Sequence, residues 1–208
     1  MLYACLVPRA KAQLDSSSID LHDELLARIL TYIAVMHQIA SAVQGTDARI
    51  MVDTNHAYGR ADALRLGQAL DQYDLAWYEE PVVPEDFASY ASLRELLAMP
   101  IAGGENEHTL FGFRSLLGAG AVDIAQPDLG ACGGIGAARH IIALGHAHGV
   151  MVNPHVWGSA VAQAASLQML AAISQLPTIR CLHKAQCSST TAHHIHLDAN
   201  WCAIRLRS

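Results

Sequence analysis

Three carboxylates stand out by where they fall. Asp53, Glu79 and Glu105 each close a short apolar run, and they recur at equal intervals along the chain. Equal spacing means one repeating structural unit per acid. If that unit is a strand followed by a helix, the acids end successive parallel strands at one height. Their side chains then converge at a single mouth. Three carboxylates, with water and a ligand completing the shell, suit a hard divalent cation, Mg²⁺ first. Without a cation they would repel one another and raise each other's pKa. Two more strand ends follow, at Asp128 and His155. A carboxylate beside an imidazole orients the ring and tunes it toward neutrality, as a general acid or base requires. Taken singly, each acid reads as a solvated loop residue and His155 as a strand cap. Taken together, their placement points to a site.

The elements that must position these groups are readable from residue 46 onward. Short β-rich runs occupy 48–55, 75–81, 100–105, 122–128 and 149–156. Ala/Leu-rich segments of helical period lie near 60–73, 86–98, 109–119, 134–148 and 159–173. Apolar strands alternating with such helices predict a parallel sheet covered by helices, either doubly wound or a TIM-type (β/α) barrel. Gly103-Gly104 and Gly133-Gly134 form no G-x-G-x-x-G run, and there is no Walker A pattern, so a nucleotide-binding open sheet is disfavoured. An aldolase-like barrel is disfavoured too, because no lysine ends a recognisable strand. Residues 20–43 predict one long helix, whereas 1–19 carry no clear pattern. From about Leu176 the chain turns rich in Cys, His, Ser and Thr and loses all periodicity.

The runs VDTN, WYEEP, GGEN, QPD and NPHVWG resemble the barrel of the enolase superfamily, in its mandelate racemase/muconate lactonizing enzyme branch. The resemblance covers residues 46–175. It implies a partial TIM-type barrel with Asp53, Glu79 and Glu105 as Mg²⁺ ligands. It also implies that Asp128 and His155 are the dyad moving a proton on one face of a carboxylate substrate, and the cation stabilises the enediolate. Asn55 is similar to a position near the substrate, and Trp157 is a candidate pocket wall. The PHVWG and GGEN runs are most similar to sugar-acid dehydratases and cycloisomerases.

Three family features are missing. Only about 45 residues precede the first matching strand, so the N-terminal capping domain is expected to be absent. Lys-x-Lys should end the strand before Asp53; equal spacing puts it near His22, Asp23 and Glu24, and Lys11 lies at the wrong distance. A Leu-Glu-x-Asp run should follow Ala172 and does not. Residues 186–200, back-translated and read one base out of frame, can give VLEYDRTSHPFRRE, so 176–208 reads as an atypical tail whose frame shifts near 175–178. The rival reading is a metal site of Cys181, His183, Cys187, His193, His194 and His196. Their spacing fits no standard zinc pattern.

Bulk properties bound the remaining classes. The chain has 208 residues and a net charge of −6, with no basic footprint for nucleic acid. No apolar run is long enough for a membrane span. The five cysteines have no framework spacing, so a reduced, cytoplasmic setting is expected. Five readable strands leave two exposed edges, which predicts a chain that is unstable alone, a homo-oligomer or a fragment. The substrate expected is a small carboxylate, a sugar acid.

Overall fold

The computed structural model describes residues 2–5, 21–46 and 48–173. The helices form where an apolar stripe of period 3.6 is available. α1 (Leu21–Val43) buries Ile29, Tyr32, Met36 and Ile39, spaced three and four apart. Five strand–helix units follow: β2 (Ile50–Asp53) with α2 (Arg60–Leu70), β3 (Tyr78–Glu79) with α3 (Phe87–Leu96), and β4 (Ile101–Gly103) with α4 (Thr109–Gly118). Then come β5 (Ile124–Ala125) with α5 (Gly134–Ala147) and β6 (Met151–Val152) with α6 (Ala160–Ile173). The Asp86 side chain caps α3, accepting from the Ser89 N–H at 3.0 Å; those hydrogen bonds hold its carboxyl below the usual range.

The sheet is parallel throughout, and its strands stand in chain order. This is the repeated βα arrangement expected of a barrel wall, and the helices fall where the sequence predicts them. The strands are shorter than the runs that carry them. Beyond their ends the chain bends out toward the site, although bonds such as Thr54 N–H to the Glu79 carbonyl (3.1 Å) continue the ladder.

The N-terminal reading needs correction. A sixth strand, β1 (Leu2–Cys5), pairs with β2, with Cys5 opposite Asp53. The strand before Asp53 therefore does not end at 22–24; those residues lie inside α1. Lys11 and the tail from 176 onward, with the six residues of the rival metal-site reading, lie outside the described residues.

Two apolar clusters flank the sheet. The larger packs the helices against Ile50, Val52, Tyr78, Ile101, Ala125 and Val152. The smaller joins Met51, Ala76, Trp77, Ala102, Ile124 and Met151. Side chains alternate along a strand, so Met51 shares a face with Asp53, and Trp77 with Glu79. The smaller cluster is therefore the apolar floor beneath the acids.

Gly145 marks the closest approach of α5 to the sheet. A Cβ there would stand 2.7 Å from Val152 Cγ2 and 3.2 Å from the Val150 carbonyl oxygen. Both neighbours are held in the sheet, so α5 would have to lift. Gly145→Ala is expected to destabilise the fold by about 1–3 kcal/mol, the usual cost of overpacking. Denaturant melts of the two proteins measure it.

Candidate metal and acid–base site

Each acid reaches the site from a strand end. Asp53 and Glu79 are directly opposed in register and almost wholly buried. Glu79 is paired with Ala102, so Glu105 lies beyond β4. It arrives on a turn that needs Gly104, whose φ is +113°. The equal height expected for all three acids thus holds for Asp53 and Glu79, while Glu105 comes in from a turn.

Each carboxylate has found a different neighbour. Asp53 Oδ1 accepts from the Asn55 N–H at 2.9 Å. Glu79 Oε2 accepts from the Trp77 indole N–H at 2.9 Å. Glu105 Oε2 stands 3.1 Å from His155 Nε2. Among the described residues, no three His, Cys, Asp or Glu side chains close tightly enough to grip an ion. Such a spread is what mutual repulsion favours, since like charges at short range do better with separate donors. The acids nevertheless lie in one region. The buried Tyr90 hydroxyl is pushed well above its usual pKa, first by burial and then by the charges of Glu80, Glu79, Glu105 and Asp53. An all-oxygen donor set of this charge fits Mg²⁺, which would relieve the repulsion.

Asp128 and His155 are brought together. Asp128 and His155 face each other across β5 and β6 as an isolated parallel bridge. The His155 N–H donates to the Pro127 carbonyl at 3.2 Å. Asp128 Oδ2 lies 2.9 Å from His155 Nδ1, while Oδ1 accepts from the Gly130 N–H at 2.6 Å. The buried ring is therefore held at Nδ1 by a carboxylate that is itself fixed by its own turn. Its other nitrogen lies beside Glu105 without the alignment of a hydrogen bond.

The two residues expected near a substrate fall on loops. Asn55 is exposed and donates its amide to Glu80 Oε2 at 3.3 Å. Trp157 is 67% exposed just beyond His155. Sequence reasoning passed over Glu80, His56 and Asn106, which meet above the acids. Their signal was the doubled glutamate in WYEEP and the asparagine following Glu105.

The chain is 46% identical over 133 residues to D-galactarolactone cycloisomerase of Agrobacterium fabrum, covering 64% of this chain and 35% of that protein. It is 45% identical over 119 residues to L-rhamnonate dehydratase of Saccharopolyspora erythraea, covering 56% and 30%. These relatives are enzymes, and the chain spans about a third of their length. Among solved structures, the 3,6-anhydro-D-galactonate cycloisomerase of Zobellia galactanivorans superposes with a TM-score of 0.67 at 38% identity, covering 69% of this chain and 40% of that one. A mandelate racemase/muconate lactonizing enzyme-like protein from Roseovarius sp. TM1035 gives 0.72 at 31% identity, covering 78% and 40%. The six-stranded sheet is thus part of an enolase-superfamily barrel. The model of the enolase C-terminal domain-like family matches residues 10–200, and the chain belongs to that family.

Proposed function

We propose that this site transfers the proton alpha to the carboxylate of a sugar acid, with Mg²⁺ as cofactor, as in a dehydratase or cycloisomerase. One observation carries the reading. His155 is fixed at Nδ1 by Asp128 and directs Nε2 to within 3.1 Å of Glu105, one of the three clustered acids. A base thus abuts the group that would hold the cation. Asp53, Glu79 and Glu105 would bind Mg²⁺, which when bound supplies positive charge that acidifies the carbon beside the substrate carboxylate. His155 Nε2 takes or returns the proton on one face, and Asp128 keeps the ring in the matching tautomer. Asn55 and Trp157 border the substrate. The partner is a small molecule, and the setting is the cytoplasm. No helix among the described residues is long and apolar enough to cross a membrane.

A second reading, a binding or assembly module without turnover, has its own support. β1, Leu2-Tyr3-Ala4-Cys5, pairs with β2 so that Cys5 is opposite Asp53, where the resemblance implies Lys-x-Lys. Among the described residues, the opposite-face base is then lacking. Proton abstraction by His155 should survive this loss, but net conversion should not, because a second acid/base group contributes roughly 10²–10⁴-fold.

The test is to incubate the chain with Mg²⁺ in D₂O and a panel of hexonates and hexarates. NMR should show Mg²⁺-dependent loss of an alpha-proton signal, with little product. Turnover near the ~10 s⁻¹ typical of enzymes, abolished by His155→Ala, would show that a second base exists, Lys11 being the first candidate. Neither exchange nor product from any substrate would favour the module reading.

A further inference from the structure

The loops after β2, β3 and β4 converge on one carboxylate. Glu80 is almost wholly buried, at 1% exposure. Asn106 Nδ2 donates to its Oε1 at 3.1 Å and Asn55 Nδ2 to its Oε2 at 3.3 Å. His56 Nε2 stands 3.1 Å from the same Oε2. A buried carboxylate is costly unless hydrogen-bonded, and here the loops after β2 and β4 supply the donors. His56 Nε2 also lies 3.1 Å from Asn106 Nδ2, and its role as donor to Glu80 or acceptor from Asn106 is set by the ring tautomer.

The backbone gives an independent sign. Five non-glycine residues among those described have positive φ. Three of them, Asn55 (45°), His56 (62°) and Glu80 (47°), belong to this cluster. Such conformations are uncommon, and they gather where a site over-determines them. The same loops are tied through the main chain. Thr54 Oγ1 and the His56 N–H donate to the Glu80 carbonyl at 3.0 and 2.9 Å. The Asn55 N–H, in turn, holds Asp53.

We infer that Glu80 is a positioning residue for this site. Its carboxylate claims the NH₂ groups of Asn55 and Asn106, so each exposed amide presents its carbonyl oxygen as an acceptor. Acceptors of that kind suit the hydroxyl groups of a polyhydroxylated acid. Through Asn55 the same carboxylate steadies Asp53. The purpose of this arrangement rests on the reading given under Proposed function; its geometry does not.

Glu80→Gln separates positioning from burial, because shape is kept. Asn55 and His56 share Oε2, so the glutamine oxygen should occupy that place and its NH₂ should face Asn106. The Asn106 amide must then turn over and present NH₂ at the mouth. Side-chain amide signals in ion-free ¹H–¹⁵N spectra, assigned with Asn55→Ala and Asn106→Ala, report this directly. The wild-type chain should show both amides protected from solvent exchange. Glu80→Gln should release the Asn106 amide and largely spare that of Asn55. Mg²⁺ affinity, read by calorimetry, should fall about tenfold, as for other groups that orient metal ligands. Exchanging the two roles in Glu80→Gln/Asn106→Asp restores donor facing acceptor and should recover most of that loss, which a purely space-filling role would not do.

Freely exchanging amides in the wild-type chain would overturn the inference, and so would a double variant no better than Glu80→Gln. The wild-type measurement decides even if a variant fails to fold. If Mg²⁺ does not bind the wild-type chain while Asn106 still responds to Glu80→Gln, the metal reading fails and the assignment of Glu80 stands.

Discussion

Asp128→Asn is expected to slow Mg²⁺-dependent alpha-deuterium exchange by roughly 10³–10⁴-fold, with little change in melting temperature. The two oxygens of Asp128 do different work. Oδ1 accepts from the Gly130 N–H, and Oδ2 faces His155 Nδ1 at 2.9 Å. An asparagine keeps the first bond through its own Oδ1, so the turn survives and the amide nitrogen must take the place of Oδ2. It then donates to Nδ1, which becomes the acceptor, and the ring proton moves to Nε2. That nitrogen lies 3.1 Å from Glu105 Oε2, so a small realignment gives the new N–H an acceptor. The nitrogen meant to take a substrate proton is thereby filled. In serine hydrolases the same exchange of aspartate for asparagine leaves geometry intact and lowers turnover about 10⁴-fold through the wrong tautomer. Substrate-dependent exchange followed by NMR measures the loss, and a melt of each protein checks the fold. Exchange within tenfold of the wild-type rate would show that Asp128 does not set the tautomer of His155.

What could be read from the sequence depended on how local its cause was. The helices were legible because their burial pattern is local; Ile29, Tyr32, Met36 and Ile39 announce α1 by spacing alone. The strand-end positions of Asp53 and Glu79 and the meeting of Asp128 with His155 were legible because each residue closes one repeating unit. β1 was not, because four residues carry too little period and its partner lies far along the chain. The offset of Glu105 was hidden for a similar reason. Equal spacing reports the length of a unit, whereas height depends on the Gly104 turn and on the register between strands. Glu80 was the least visible, because its role is defined by donors from loops on either side of β3. In the sequence it is only the second of two glutamates.

Asp53→Ala is expected to abolish stabilisation by Mg²⁺. In the ion-free chain Asp53, Glu79, Glu80 and Glu105 crowd one region, and all four charges act on the Tyr90 hydroxyl. Buried like charges cost free energy that a shared cation would return. A ligand that binds only the folded state stabilises it by about 2.7 kcal/mol at one hundred times its dissociation constant. For a chain of this size each kcal/mol moves the melting temperature by roughly 2–4 °C, so saturating Mg²⁺ should raise it by about 5–10 °C. Removing Asp53 deletes one ligand and also one of the repelling charges. The ion-free variant should therefore melt close to the ion-free wild type, and Mg²⁺ should leave it unmoved. A second signal comes from beneath the acids. The buried Trp77 indole donates to Glu79 Oε2, and a carboxylate drawn to a cation must loosen that bond. Mg²⁺ should therefore change Trp77 emission in the wild-type chain, the change should vanish with Trp77→Phe, and Asp53→Ala should not show it. An equal Mg²⁺ shift in wild type and Asp53→Ala would place the ion elsewhere, and no shift in the wild type would remove the cation from these residues.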